Sequence, residues 1–295
     1  MPSRHAYLVI AHHEAEVLRC QLRLLDYPGN DIYLHIDAHA VDMRSAFAKW
    51  QPRHAGYQLV ERPLHAGWGG YNMVRVEMML LRLAHVHGPY ARYHVLSGVD
   101  LPIKSQQAIH AFFAAHPHRE YVSFWTTPEH NRDLRRKVRY YYLFNEHLKD
   151  KHSWKHRLTT PVRKISLVIQ KALFLRRRGK RDWRKGSVWV SITEDFCAYL
   201  VSRMPQVLAL YRYLLCADEI FLQTELWNSP FRERVVLSGS LEEESMRLID
   251  WQRGYPYVWK YEDVDELRQS PCLFARKFSG NDTRLLEAVT QMATQ

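Results

Sequence analysis

The stretch Ala6-Tyr-Leu-Val-Ile-Ala11 is a short apolar run, and behind it Val17, Leu18, Leu22 and Leu25 recur at helical spacing. These patterns predict a strand over 6–11 and a helix over 14–26, ended by the turn Tyr27-Pro28-Gly29-Asn30-Asp31. The alternation continues outward. Strands are expected at 31–36 (DIYLHI), 57–61 and 91–96 (ARYHVL), with helices at 41–50 and 71–87 between them. Such alternation reads as an α/β protein with a mainly parallel central sheet flanked by helices. Asp37 halts the second strand, and Ser97-Gly98-Val99-Asp100 follows the fourth. Open α/β sheets bind ligands at those carboxyl ends, so the chemistry is expected there. Further along, 186–192 (GSVWVSI) predicts a strand, and 194–202, 205–215 and 281–293 predict helices.

The 295 residues, 46% hydrophobic and 25% charged, can bury a sizeable core, which excludes a disordered chain. They are read as one domain, 1–295, with a basic, helix-rich insertion at about 132–185. Lys and Arg total 42 against 31 Asp and Glu, a net +11 that calls for an acidic partner: nucleic acid, an anionic membrane or a phosphorylated substrate. Of those 42, 19 fall between Arg132 and Lys185, away from the motifs that carry chemistry. There Ile165–Leu175 runs into Arg176-Arg177-Arg178, predicting an amphipathic helix with a cationic edge. It suits a headgroup layer, or else a solvated insertion packed on its parent domain. The four cysteines form no C-x-x-C pair, which argues against a disulfide framework and for a reducing compartment. The 6–11 run is too brief for a signal-peptide core, and no run approaches the roughly 20 apolar residues that span a bilayer. A cytoplasmic protein, peripheral at the inner face of the cell membrane, is expected.

Polar constellations recur at loop positions: Leu34-His35-Ile36-Asp37, Trp68-Gly69-Gly70-Tyr71, and Ser97-Gly98-Val99-Asp100-Leu101-Pro102-Ile103-Lys104-Ser105. Later come Lys185-Gly186-Ser187-Val188-Trp189, Asp218-Glu219-Ile220-Phe221-Leu222-Gln223-Thr224 and Phe274-Ala275-Arg276-Lys277-Phe278. None is a P-loop, G-x-G-x-x-G, H-E-x-x-H or G-x-S-x-G, which disfavours nucleotide hydrolases, dehydrogenases, zinc proteases and α/β-hydrolases. In this order, from about Ala6 to Phe278, the set resembles the core-2/I-branching glycosyltransferases. That family holds β-1,6-N-acetylglucosaminyltransferases and, in a sister branch, peptide O-xylosyltransferases.

The resemblance implies a GT-A type fold, a UDP-sugar donor (GlcNAc ahead of xylose), inversion in one displacement, and no divalent metal or other cofactor. The acceptor would be a hydroxyl of a glycan or lipid-linked saccharide. Charge growing on the departing diphosphate then needs fixed cations. By resemblance Lys277 binds the diphosphate with Arg276 beside it, and a second cation is expected about 20 residues upstream, at Arg253 near Tyr255, with Arg247 also close. Glu219 is implied as the base that takes the acceptor proton. Its apolar lead-in, Tyr213–Ala217, would raise its pKa, while Asp218 would cap the helix starting at Ile220. Ile10, Ala11 and Asp37 map to the nucleoside site. The Trp68-Gly69-Gly70 turn would bring backbone close to the donor, since glycine permits approaches that a side chain forbids. Asp100, Lys104, Ser187 and Trp189 fall to the sugar or acceptor pocket, with a turn role open for Asp100 and a core role for Trp189.

Several features depart from the family or admit other readings. Val188 stands where the xylosyltransferase branch has an acid, and the signal anchor and many cysteines of animal members are missing, as in a compact bacterial version. His35, Asp37 and His39 would share one face of a continued strand, compatible with a metal. Asp263-Val264-Asp265 matches Asp-x-Asp but reads as a solvated helix start. Basic and aromatic mixing around Tyr140-Tyr141-Tyr142 suggests a nucleic-acid binder, though without any recognised motif, and 165–178 suggests a membrane-docked, non-enzymatic protein. The enzyme reading carries no nucleic-acid partner.

Overall fold

Strand β1 (His5–Ala11) is buried along its whole length and lies between two parallel neighbours, β2 (Asn30–Ile36) and β4 (Arg92–Ser97). A computed structural model describes residues 4–147, 153–177 and 181–294. With β3 (Gly56–Leu59) outside β2, the sheet order is β3-β2-β1-β4, and β6 (Ser191–Ile192) closes the β4 edge antiparallel. Alternate β1 side chains serve opposite cores. Ala6, Leu8 and Ile10 pack with helix Asn72–His87, while Tyr7, Val9 and Ala11 pack with helix Ala15–Leu25 and helix Gln106–Ala115. The expected mainly parallel α/β sheet is observed, as are the expected helices outside the basic segment, within a few residues of their ends.

The strand order reverses between β1 and β4, and open α/β sheets bind ligands at such a switch point. Here the two strand ends touch: Gly98 N–H donates to Ile10 O at 2.9 Å, and a Cβ on Gly98 would lie 2.6 Å from the Ala11 Cβ. A second, three-stranded sheet follows directly, β5 (Asp100–Pro102), β8 (Phe274–Arg276) and β7 (Arg247–Ile249), in the order β5-β8-β7. Its antiparallel β5–β8 register sets Asp100 opposite Arg276.

Two expectations change. Only Ser191–Ile192 of the predicted 186–192 strand joins the sheet. Gly186 N–H donates to Glu219 O at 2.9 Å, and a Cβ on Gly186 would meet Ser123 O at 1.9 Å, so this stretch is threaded between two loops with no room for a ladder. The basic segment also differs: its helix is Trp154–Ala172, beginning well before Ile165 and ending before Leu175. Ser153 Oγ caps it by accepting from Lys155 N–H. Arg178 lies outside the described residues.

Candidate active site

The carboxyl ends of β1, β2 and β4 open into a cleft of about 600 Å³. Ile10, Ala11, Asp37, Trp68, Ser187, Trp189, Glu219, Tyr255, Arg276 and Lys277 all line it. Residues from seven separate stretches of chain therefore converge at the switch point. Gly69, Asp100 and Arg253 do not line it.

At its β2 end, Asp37 is nearly buried and already accepts hydrogen bonds from His39 N (2.9 Å), Ala66 N (2.8 Å) and His65 Nδ1 (3.0 Å). Burial alone would raise its pKa, but these donors hold the carboxyl below its usual range. A carboxylate offers about four acceptor sites, so one remains for a ligand hydroxyl or N–H. The Trp68-Gly69-Gly70 turn is tight for another reason than donor approach. A Cβ on Gly70 would fall 2.2 Å from Glu146 Oε2, and Gly69 O accepts from Cys216 N at 3.2 Å. The glycines bring the turn against its own scaffold, leaving Trp68 at the cleft.

Arg276 is fixed from two sides. Asp100, 2% exposed, pairs with it at 2.8 Å, and the Trp189 ring lies 4.7 Å from its guanidinium carbon. Asp100 therefore acts beneath the cleft, holding a cation, and Trp189 backs that cation as well as lining the cleft. Lys277 forms no ion pair among the described residues. Arg253 is elsewhere: it pairs with Asp250, with Asp263 at 3.1 Å and with Glu266 at 2.8 Å, on a neighbouring pocket. Three carboxylates neutralise it. Arg247 is buried, donating to Val190 O at 2.7 Å and to Ser191 Oγ, and holds backbone in place. Lys104 donates to Arg268 O at 3.0 Å, outside the cleft.

Glu219 ends the short turn Ala217–Glu219, and its Oε2 lies 2.9 Å from Lys137 Nζ and 3.2 Å from Lys185 Nζ. Asp133 completes a four-charge square, 2.8 Å from Lys137 and 2.6 Å from Lys185. Burial works against the Asp133 charge, yet the two lysines keep its pKa low. Lys137 is likewise penalised by burial and pushed up nonetheless by Glu219. The acid that burial pushes up is Asp218. Its Oδ1 is buried without a partner, and burial followed by the Glu219 charge pushes its pKa up to about 7. Asp218 does not cap helix Phe221–Trp227, whose first residue has no side-chain cap.

A core-2/I-branching enzyme family model matches residues 5–274. The chain belongs to this family. It is therefore a glycosyltransferase, which sets aside the non-enzymatic readings. Among solved structures it is similar to mouse xyloside xylosyltransferase 1 in its apo form, 12% identical over 95% of this chain and 98% of that chain, with a TM-score of 0.39. No curated protein matches the sequence.

For a glycosyltransferase the cleft supplies cations at one side, Arg276 and Lys277, and a carboxylate at another, Glu219. Lys137 and Asp133 escaped the sequence reading because both fall in the basic segment, and Lys185 stands in a quoted motif without an assigned role. Lys185 opens the Lys185-Gly186-Ser187-Val188-Trp189 motif, the one local signal that pointed to it. For a metal, the expected His35-Asp37-His39 face does not form, because β2 ends at Ile36 and His35 Nε2 accepts from Leu64 N at 3.1 Å. Asp37, His39 and His65 instead bring ligand atoms within 4.8 Å of one another. Asp263-Val264-Asp265 opens helix Val264–Gln269, its acids paired with Arg253 and Arg268, as a helix start would be.

Proposed function

We propose that this glycosyltransferase moves a sugar from a UDP-sugar, GlcNAc ahead of xylose, to a hydroxyl of a glycan or lipid-linked saccharide. Transfer is a single inverting displacement that needs no divalent metal. The observation that carries this reading is the convergence of Glu219 with Arg276 and Lys277 on one cleft at the switch point. As the glycosidic bond breaks, charge grows on the leaving UDP, and cations already fixed in place stabilise it without reorganising. Arg276 is preset by Asp100, and Lys277 has no ion-pair partner among the described residues, so the two divide orientation and charge neutralisation between them. On the acceptor side Glu219 takes the hydroxyl proton as the new bond forms. Lys137 and Lys185 hold one of its oxygens, leaving the other for the acceptor.

Nucleoside recognition falls to Ile10, Ala11 and Asp37, and Trp68, Ser187 and Trp189 offer surfaces to donor and acceptor sugars. Val188, in place of an acid, supports GlcNAc over xylose. Four buried free cysteines support a reducing, cytoplasmic setting. No helix among the described residues is long and apolar enough to cross a membrane. The test is a donor screen following UDP release from UDP-GlcNAc, UDP-xylose, UDP-glucose and UDP-galactose, with and without EDTA. UDP-GlcNAc is expected to turn over fastest and EDTA to change nothing. Failure to bind any UDP species would sink the reading, and loss of activity in EDTA would sink its metal-free part.

A further inference from the structure

Helix Trp154–Ala172 is built inside out. Trp154, Leu158, Val162, Ile165, Ile169 and Leu173 recur every three or four residues, so they form one stripe, and every one of them is exposed. Val168, 65% exposed, borders it. The opposite stripe, Thr160, Arg163, Ser166 and Gln170, is polar and turns inward. Gln170 anchors it, accepting from Tyr141 N at 2.8 Å and donating to Tyr141 O at 2.9 Å. Beyond the helix, Phe174 is 79% exposed and Leu175 is exposed too. A water-facing helix normally shows the reverse pattern, and apolar area of this extent marks an interaction surface.

Charge identifies the occupant. Residues 153–177 contain Lys155, Arg157, Arg163, Lys164, Lys171, Arg176 and Arg177, and no Asp or Glu. Lys155, Lys164 and Lys171 are exposed and flank the apolar stripe rather than interrupt it. A second copy docked by twofold symmetry would set this cationic face against itself. An anionic bilayer takes both features together: hydrocarbon for the stripe, acidic headgroups for its cationic borders, and an interfacial position for Trp154. We propose that this face, with the Leu173–Arg177 segment after it, docks the enzyme on an anionic lipid bilayer. The face is tied to the cleft. Arg177 N donates to Arg139 O at 3.0 Å at the end of helix Pro128–Arg139, the helix that carries Asp133 and Lys137 to Glu219. Docking therefore favours an acceptor held in the bilayer, a consequence that rests on the transferase reading, whereas the docking itself does not.

The test is flotation of the full-length protein with phosphatidylcholine vesicles, with and without phosphatidylglycerol, in the absence of donor and acceptor. Wild type is expected to float with the anionic vesicles alone. Replacing Lys155, Lys164 and Lys171 together by Gln should weaken that binding roughly hundredfold. Ile165→Ser with Ile169→Ser should weaken it at least about tenfold. All these side chains are exposed, so circular dichroism and UDP affinity should be unchanged, which separates lost docking from misfolding and from failure of the transferase assignment. Three results would overturn the proposal: no binding to anionic vesicles, equal binding to both compositions, or a wild-type dimer in light scattering that the double Ile variant converts to monomer.

Discussion

Arg276 and Glu219 illustrate how single side chains are prepared for opposite tasks. Arg276 is paired with Asp100 and its plane is backed by Trp189, so its orientation is set before a donor arrives. Lys277 beside it has no ion-pair partner among the described residues, and in the proposed reaction it meets the diphosphate. Glu219 is held by two lysines on one oxygen. Lys277→Ala should weaken UDP binding about 10- to 100-fold in calorimetry, the range of hydrogen bonds to charged groups. Glu219→Gln, by contrast, should leave UDP affinity unchanged and slow transfer by about two to four orders of magnitude. Lost UDP binding in that variant would show that the base lies elsewhere. Sequence reading reached Glu219, Arg276 and Lys277 because each sits inside a short ordered motif. It could not reach Lys137, whose partner is 82 positions away, nor tell that Arg253 is neutralised by three acids brought in from either side.

Strand register does the positioning at the next scale. In the small sheet, the β5–β8 pairing alone places Asp100 across from Arg276, 176 positions apart in the chain. Asp100→Ala would leave the guanidinium without its buried counter-charge. It should cost about 3 kcal/mol in denaturant unfolding and also weaken UDP binding. A variant with wild-type stability would show that the pair does not hold the sheet. Elements with a clear period were legible from sequence: β1, β2, β4 and the helices Ala15–Leu25 and Asn72–His87 lie where their apolar spacing put them. Residues 186–190 misled because an apolar, β-branched run looks the same whether or not a neighbour is free to pair with it. The helix Trp154–Ala172 has its period in the sequence too, but period cannot say which face is turned inward.

Across the whole molecule, buried acids make stability fall as pH rises. Asp218 and Glu120 are both pushed up to about 7, chiefly by burial, and Glu77, fully buried with both oxygens unpartnered, lies well above its usual value. A raised carboxyl binds a proton in the folded state that the unfolded chain has lost. Its stabilisation is complete below the unfolded pKa and disappears as pH passes the folded one. His12 and His35, both lowered to about 4 by burial, act oppositely but finish titrating near their unfolded value of 6.5. From about pH 6.5 the acids therefore act unopposed, and the melting temperature should decline as pH passes about 7, the folded value of Asp218 and Glu120, with Glu77 prolonging the fall. A flat or rising profile would contradict it, and Asp218→Asn should flatten the slope. The amino-acid order alone determined the alternating elements, the family motifs and the surplus of positive charge, because periodicity and short motifs are local properties. Tertiary structure decided which charges face one another: Lys137 and Lys185 at Glu219, Asp100 under Arg276, Arg253 spent among acids, and an apolar helix face turned to the outside. Those outcomes depend on strand register and helix rotation, which bring distant residues within a few ångströms, and no local pattern encodes them.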